Sequence, residues 1–352
     1  MPEKDDFQQT AAAATTDITM PDPETVTENE AEEFARKLIS RAATLNGVKI
    51  NRETFLRTEL KKHCPEADVD RAIETSPAEA GVPASAIDTI ARSAVDFETG
   101  KCAGLSFAAG IPGGAALAAT VPVDLVQYFA HVMRVEQKLA YIYGWQSFLN
   151  DNDEMDDETT MQLVLLMGVM LGVGGAAGAV NKFAANVAQA GVQKAIQRQA
   201  LTKYAFYPIM KKVLRVVGVN LTKQTFAKTA SKVVPLIGGV ISGGLTYATF
   251  KPAAEHLRTY LRSLPTSGIA DIPEKEDKRA LDQIASGASE VASSAADHAQ
   301  KAGSAVVECA QGAGAAAAQA AGVASQAAGA AAQAATNAAK SMASRIAAFG
   351  RK

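Results

Sequence analysis

The chain has 352 residues, 48% hydrophobic and 20% charged, so it holds enough apolar material for a sizeable core although only 6% of it is aromatic. A formal net charge of -2 conceals an uneven layout: residues 1–35 carry ten acids and one Lys, whereas residues 181–262 carry thirteen bases and one Glu. Cys64, Cys102 and Cys309 are odd in number and far apart, which argues against a disulfide framework or a clustered zinc site and suits a reducing compartment.

Residues 1–33 are rich in Ala, Thr, Pro and acids, with neither an apolar leader nor an apolar period, and are expected to be a disordered acidic head without a secretory signal. Phe34, Leu38, Ala42 and Leu45 then recur at helical spacing, and Phe55, Leu56 and Leu60 repeat the signal after Asn51. A third, short helix is expected from Asp68 through Ile73. Ser85 stands as the cap of a fourth, whose Ile87, Ile90 and Val95 share a face. Residues 34–100 thus read as a small helical module.

Residues 104–123 are uncharged but interrupted by Pro112, Gly113, Gly114 and Pro122, which predicts a broken or re-entrant pair of short helices rather than one straight rod. Pro122 suits an early position in the next helix, with Asp124 in its first turn near the positive end of the macrodipole and Gly144 at its close. Along that helix Asp124, Gln127, His131, Arg134 and Lys138 form a polar stripe at steps of three and four. The stripe is expected to be an internal polar network holding two helices in register. General acid/base work by Asp124, His131 and Arg134 is the rival reading.

An acidic loop, residues 151–158, leads into a stretch without parallel elsewhere in the chain: residues 159–254 contain eleven Lys or Arg and no Asp or Glu. Two 18-residue uncharged, Gly-rich runs flank its basic centre, residues 163–180 and 233–250. Each would span about 27 Å as one helix at about 1.5 Å per residue, marginal for a hydrocarbon core of about 30 Å. Glycines four apart, at Gly110 and Gly114, Gly168 and Gly172, Gly174 and Gly178, and Gly239 and Gly243, predict close helix packing in a membrane or in a buried hairpin alike.

Lys203, Lys211, Lys212, Arg215, Lys223, Lys228 and Lys232 are the expected lipid-phosphate ligands, within a basic set that also includes Lys182, Lys194 and Arg198. Nucleic acid is the weaker rival, with Tyr204, Phe206, Tyr207 and Phe226 available to stack, and a solvated face is the third reading. Beyond Pro265 a charged linker gives way to a low-complexity tail, with 17 Ala among residues 311–340. Met342, Ile346 and Phe349 among Lys340, Arg345, Arg351 and Lys352 would make a short basic anchor.

Several chemistries fail on spacing. Residues 172–177, "GVGGAA", lack the acid about 20 residues on that a dinucleotide site needs, since the next acid is Glu255. Ser242 lacks the Gly two residues before it required of a nucleophile elbow. His63, His131, His256 and His298 are scattered, and the acidic loop places Asp156 and Gln162 where a calcium loop needs Gly and Glu. No catalytic residue, metal or cofactor is expected.

Three segments, "GIPGGAALAATVPVDLVQYFAHVMRVEQKLAYIYGW" (residues 110–145), the apolar run after the acidic loop, and "VVPLIGGVISGGLTYATFKPAAEHLR" (residues 233–258), resemble the EcsC family of bacterial helical, hydrophobic proteins. The resemblance covers roughly residues 85–262. It implies a bacterial, membrane-associated helical domain of no settled biochemical activity. The expectation is therefore an all-α chain: an acidic head (1–33), a helical module (34–100), an apolar domain with Gly-rich hairpins (101–265), and a linker with an Ala-rich tail (266–352). Its expected role is non-enzymatic binding of anionic membrane lipids at the cytoplasmic side of the membrane, with a membrane protein as a further candidate partner. The alternatives are a lipid-acting hydrolase or transferase using the Asp124, His131 and Arg134 face, and a cytoplasmic helical interaction module.

Overall fold

Thr27 opens the first helix: its hydroxyl accepts from the Glu30 amide at 3.3 Å while the Glu30 carboxylate accepts from the Thr27 amide at 2.8 Å. In the computed structural model, residues 15, 18–22, 25–110, 116–149, 155–190, 207–231 and 237–274 are described. Among them are nine α-helices and no strand: α1 (Glu28–Thr44), α2 (Arg52–His63), α3 (Val69–Glu74), α4 (Ala84–Gly110), α5 (Ala116–Ile142), α6 (Asp157–Met170), α7 (Ala176–Ala190), α8 (Tyr207–Ser231) and α9 (Ile237–Arg262). A 3-10 turn, Pro265–Ser267, follows α9. The described residues are all-α, as the periodicity implies. The Ala-rich tail, the basic C-terminal anchor, residues 1–14 of the head, Lys194, Arg198, Lys203 and Lys232 lie outside the described residues.

Short polar side chains set the starts. Asn51 accepts from the Thr54 amide at 2.9 Å, Asp68 from the Arg71 amide at 3.0 Å, and Asp156 from the Thr159 amide at 2.8 Å. Four boundaries differ from the sequence expectation. Residues 28–33, assigned to the disordered head, form the first turns of α1 because of the Thr27 cap. Ser85 lies inside α4, which starts at the Pro83 turn; the Pro83 carbonyl accepts from the Ala86 and Ile87 amides. Residues 104–123 are not a pair of short helices but the adjoining ends of two 27-residue ones, with residues 111–115 outside the described part. Pro122 accordingly stands inside α5, and Asp124 is past the first turn.

The fourth difference concerns the apolar run 163–180. It is not one rod: α6 ends at Met170 and α7 begins at Ala176. Gly172 (φ 68°) and Gly175 (φ 97°) take the left-handed backbone that turns the chain between them. From Leu163 on, the large side chains of α6, among them Leu163, Leu166, Met167 and Met170, are 0–2% exposed. Its hydrophobicity is spent on the protein's own core. No helix among the described residues is long and apolar enough to cross a membrane.

Two compact units divide the described chain: residues of 1–101, 125–222 and 253–275 in one, and of 102–124 and 223–252 in the other. In the first, α5 is the hub. Its Gln137 accepts from the Ile50 amide at 3.0 Å and donates to the Val48 carbonyl at 3.0 Å, and its Arg134 donates to the Gly47 carbonyl, so the α1–α2 loop is fastened to α5 at three points. Arg52 is buried and donates to the carbonyls of Trp145, Ile73 and Thr75 at 2.9, 2.5 and 3.1 Å. Burial lowers its pKa to about 10, and the backbone carbonyls satisfy its buried donors. Arg262 of α9 grips buried Asp88 of α4 through two bonds of 2.9 and 3.1 Å and donates to the Ile272 carbonyl. Arg92 and Arg258 both meet Glu274, holding the segment after α9 against α4.

Small residues decide two helix crossings. A Cβ on Gly168 of α6 would fall 2.5 Å from Val213 of α8, and one on Gly218 of α8 would fall 1.9 Å from the Ala31 carbonyl oxygen of α1. The glycine pairs expected to pack helices behave unevenly: Gly168 does so, Gly172 turns the chain, and Gly178 faces open space.

Candidate functional site

The apolar face of α4, built by Ile87, Ile90, Ala91, Ala94 and Val95, continues at Glu98, which is 0% exposed. The spacing makes a carboxylate the next core residue, and α5 answers it. His131, Arg134 and Lys138 fall on one face of α5 at steps of three and four. His131 Nδ1 lies 2.6 Å from Glu98 Oε2, Arg134 Nε 3.1 Å from each carboxylate oxygen, and Lys138 Nζ 2.5 Å from Oε1. Burial by itself would raise the Glu98 pKa, but the His131 hydrogen bond and the Lys138 and Arg134 charges bring it down to about 2. Lys138 is pulled the other way: burial lowers its pKa and Glu98 restores part of it. The Lys138 ammonium also sits 4.8 Å over the Phe97 ring, which Lys101 approaches at 4.9 Å.

A carboxylate so firmly ionised is a poor general base, and His131 is 3% exposed, so the cluster's evident capacity is to clamp α4 to α5. Of the expected polar stripe, the structure gathers His131, Arg134 and Lys138 about Glu98. Gln127 is buried on the same helix, and Asp124 instead accepts from Ser106 at 2.6 Å. Glu98 itself was missed by sequence reasoning. The signal was its register with Ile87, Ala91 and Ala94, because a carboxylate on an apolar face demands cationic partners. Glu136, one helical turn beyond the face of Val132 and Met133, is likewise buried, and neither of its oxygens has a hydrogen-bond partner. Burial, with no cation beside it to offset the cost of the charge, pushes its pKa well above the usual carboxylate range. Among the described residues no three His, Cys, Asp or Glu side chains gather as metal ligands.

The basic set divides by what each side chain touches. Arg215 is spoken for, with Glu28 of α1 at 2.9 Å and Glu32 at 3.8 Å. Lys212 is exposed and donates to the Gly174 carbonyl at 3.1 Å, while Lys211 lies 5.5 Å over the Tyr207 ring. Lys182 of α7 is exposed. Lys223 and Lys228 fall within α8.

Fold and site together define an all-α arrangement of the described residues, with helices clamped by buried ion clusters and, within the basic stretch, Lys182 of α7 and Lys212 of α8 exposed. No family model, no curated protein and no solved structure matches this chain.

Proposed function

We propose that this chain is a non-enzymatic protein of the EcsC type that attaches peripherally to an anionic lipid surface, on the cytoplasmic side of a bacterial membrane, through its basic helical stretch. The observation that carries the reading is the absence of any acid over residues 159–254 against eleven Lys or Arg. Near an anionic leaflet each such residue adds about 1 kcal/mol of attraction, so a few facing one way hold a protein there. Attachment through charge also agrees with α6, whose apolar side chains are internal and leave no greasy rod to insert. Cell fractionation tests it: the protein should pellet with membranes and be released by high salt without needing carbonate. Protein wholly soluble before any wash would overturn the proposal.

The burial of α6 favours one second reading, a cytoplasmic helical interaction module that never meets lipid. Detergent-free monodisperse protein with no affinity for anionic vesicles would select that reading.

A further inference from the structure

Six large hydrophobic side chains are exposed among the described residues, and two of them, Leu171 (40%) and Tyr207 (50%), stand at the same end of the first unit. Their proximity follows from the contacts around them. Leu171 begins the turn between α6 and α7, and the N-terminal turns of α8 close over that turn: Lys212 reaches the Gly174 carbonyl, Ile209 lies 3.7 Å from where a Gly175 Cβ would be, and Val213 packs on Gly168. Tyr207 is the first residue of α8, with Lys211 above its ring. Gly172, Gly174 and Gly175 are themselves exposed, with Lys212 and Ile209 lying along one side of the turn.

Resting on the peripheral reading above, we infer that this end is the membrane-docking surface, with Leu171 and Tyr207 entering the headgroup layer of an anionic bilayer and Lys211 and Lys212 set on its phosphates. An amphipathic Tyr and an aliphatic tip ringed by lysines match the polarity gradient of that layer. The charge argument selects the occupant. No acid occurs in the sequence over residues 159–254, so a second copy of the chain docked here about a two-fold axis would set lysine against lysine. Arg215 is excluded from the surface by its engagement with Glu28 and Glu32.

The test is co-sedimentation of the full chain with phosphatidylglycerol-containing and with pure phosphatidylcholine vesicles. Wild type should bind the anionic vesicles. The Lys211→Ala/Lys212→Ala double variant should lose about thirtyfold in affinity, the change expected of two headgroup-facing lysines. Leu171→Asp should weaken binding further, and each variant should keep the wild-type helical circular dichroism. Lys61→Ala/Lys62→Ala, which removes the same charge from exposed positions on α2, should bind as wild type does. Anionic vesicles bound as tightly by the Leu171 and Lys211/Lys212 variants as by wild type overturn the docking surface alone. Wild type that ignores anionic vesicles overturns the peripheral reading as well, and retention of a single-stranded oligonucleotide in place of vesicles assigns the lysines to nucleic acid.

Discussion

Glu98 and Glu136 are two buried carboxyls of one unit with opposite fates. Glu98 meets three cationic side chains and stays ionised, so its pKa lies below the unfolded value and its stabilisation is present above about pH 4.5 and lost as pH falls toward 2. Glu98→Gln leaves the half-buried Arg134 and Lys138 beside a neutral amide and should cost about 1–3 kcal/mol in urea unfolding at neutral pH, with a shallower acid limb. A variant as stable as wild type would show the cluster to be energetically idle. Glu136 meets no partner and its pKa is raised. Folding then favours its protonated form, so its contribution is fully present below about pH 4.5 and is eroded as pH rises toward the elevated folded value. Replacing it with an apolar side chain of similar volume, Glu136→Met, should stabilise the protein at pH 7 by about 1–3 kcal/mol and make little difference at pH 4. Stability curves that stay parallel from pH 4 to pH 8 would contradict this.

Helix crossings supply the next level of the account. Gly218→Ala drives a methyl to within 1.9 Å of the Ala31 carbonyl, backbone that cannot give way cheaply, and should destabilise by about 1–3 kcal/mol or more. Gly178→Ala on α7 meets nothing within 4 Å and should be neutral or stabilising by about 0.4–1 kcal/mol, because Ala restricts the unfolded chain. Thermal melts of the pair check both, and equal melting temperatures would sink the crossing argument. Much of the helical layout was legible in the sequence. Asp68 starts α3, Gly144 (φ 89°) ends the α5 region, and Asp156 caps α6. Less visible were features that depend on a second element. The reciprocal Thr27 and Glu30 cap was a local signal overlooked beneath the acidic composition of the head. Gly218 belongs to no glycine pair, and its need for a bare Cα exists only once α1 lies across it. Pro122, read as a helix start, is tolerated inside α5, where position in the chain alone does not reveal which carbonyls lose a donor. For the site, the stripe His131, Arg134 and Lys138 was readable on α5, but Glu98 came from a helix whose facing register only folding sets.

Across the whole chain, acidic and basic residues are segregated while the total nearly cancels, with ten acids in residues 1–35 and thirteen bases in residues 181–262. The ion pairs of Arg215 with Glu28 and Glu32 bring one acid-rich turn onto the basic helix, while Lys212 of the same helix stands exposed beside the α6–α7 turn. Under the proposed attachment a chain of net charge -2 would meet an anionic surface by orientation rather than by total charge, and such binding is strongly screened. The measurement that bears most directly on this is flotation of the purified full chain with phosphatidylglycerol vesicles across a salt series. At about 0.01 M salt, where charges act over about 30 Å, the protein should float with the vesicles, and at about 1 M, where the range falls to about 3 Å, it should stay in the dense fraction. Protein that remains in the dense fraction at every salt concentration, or floats equally with neutral phosphatidylcholine vesicles, would contradict the account.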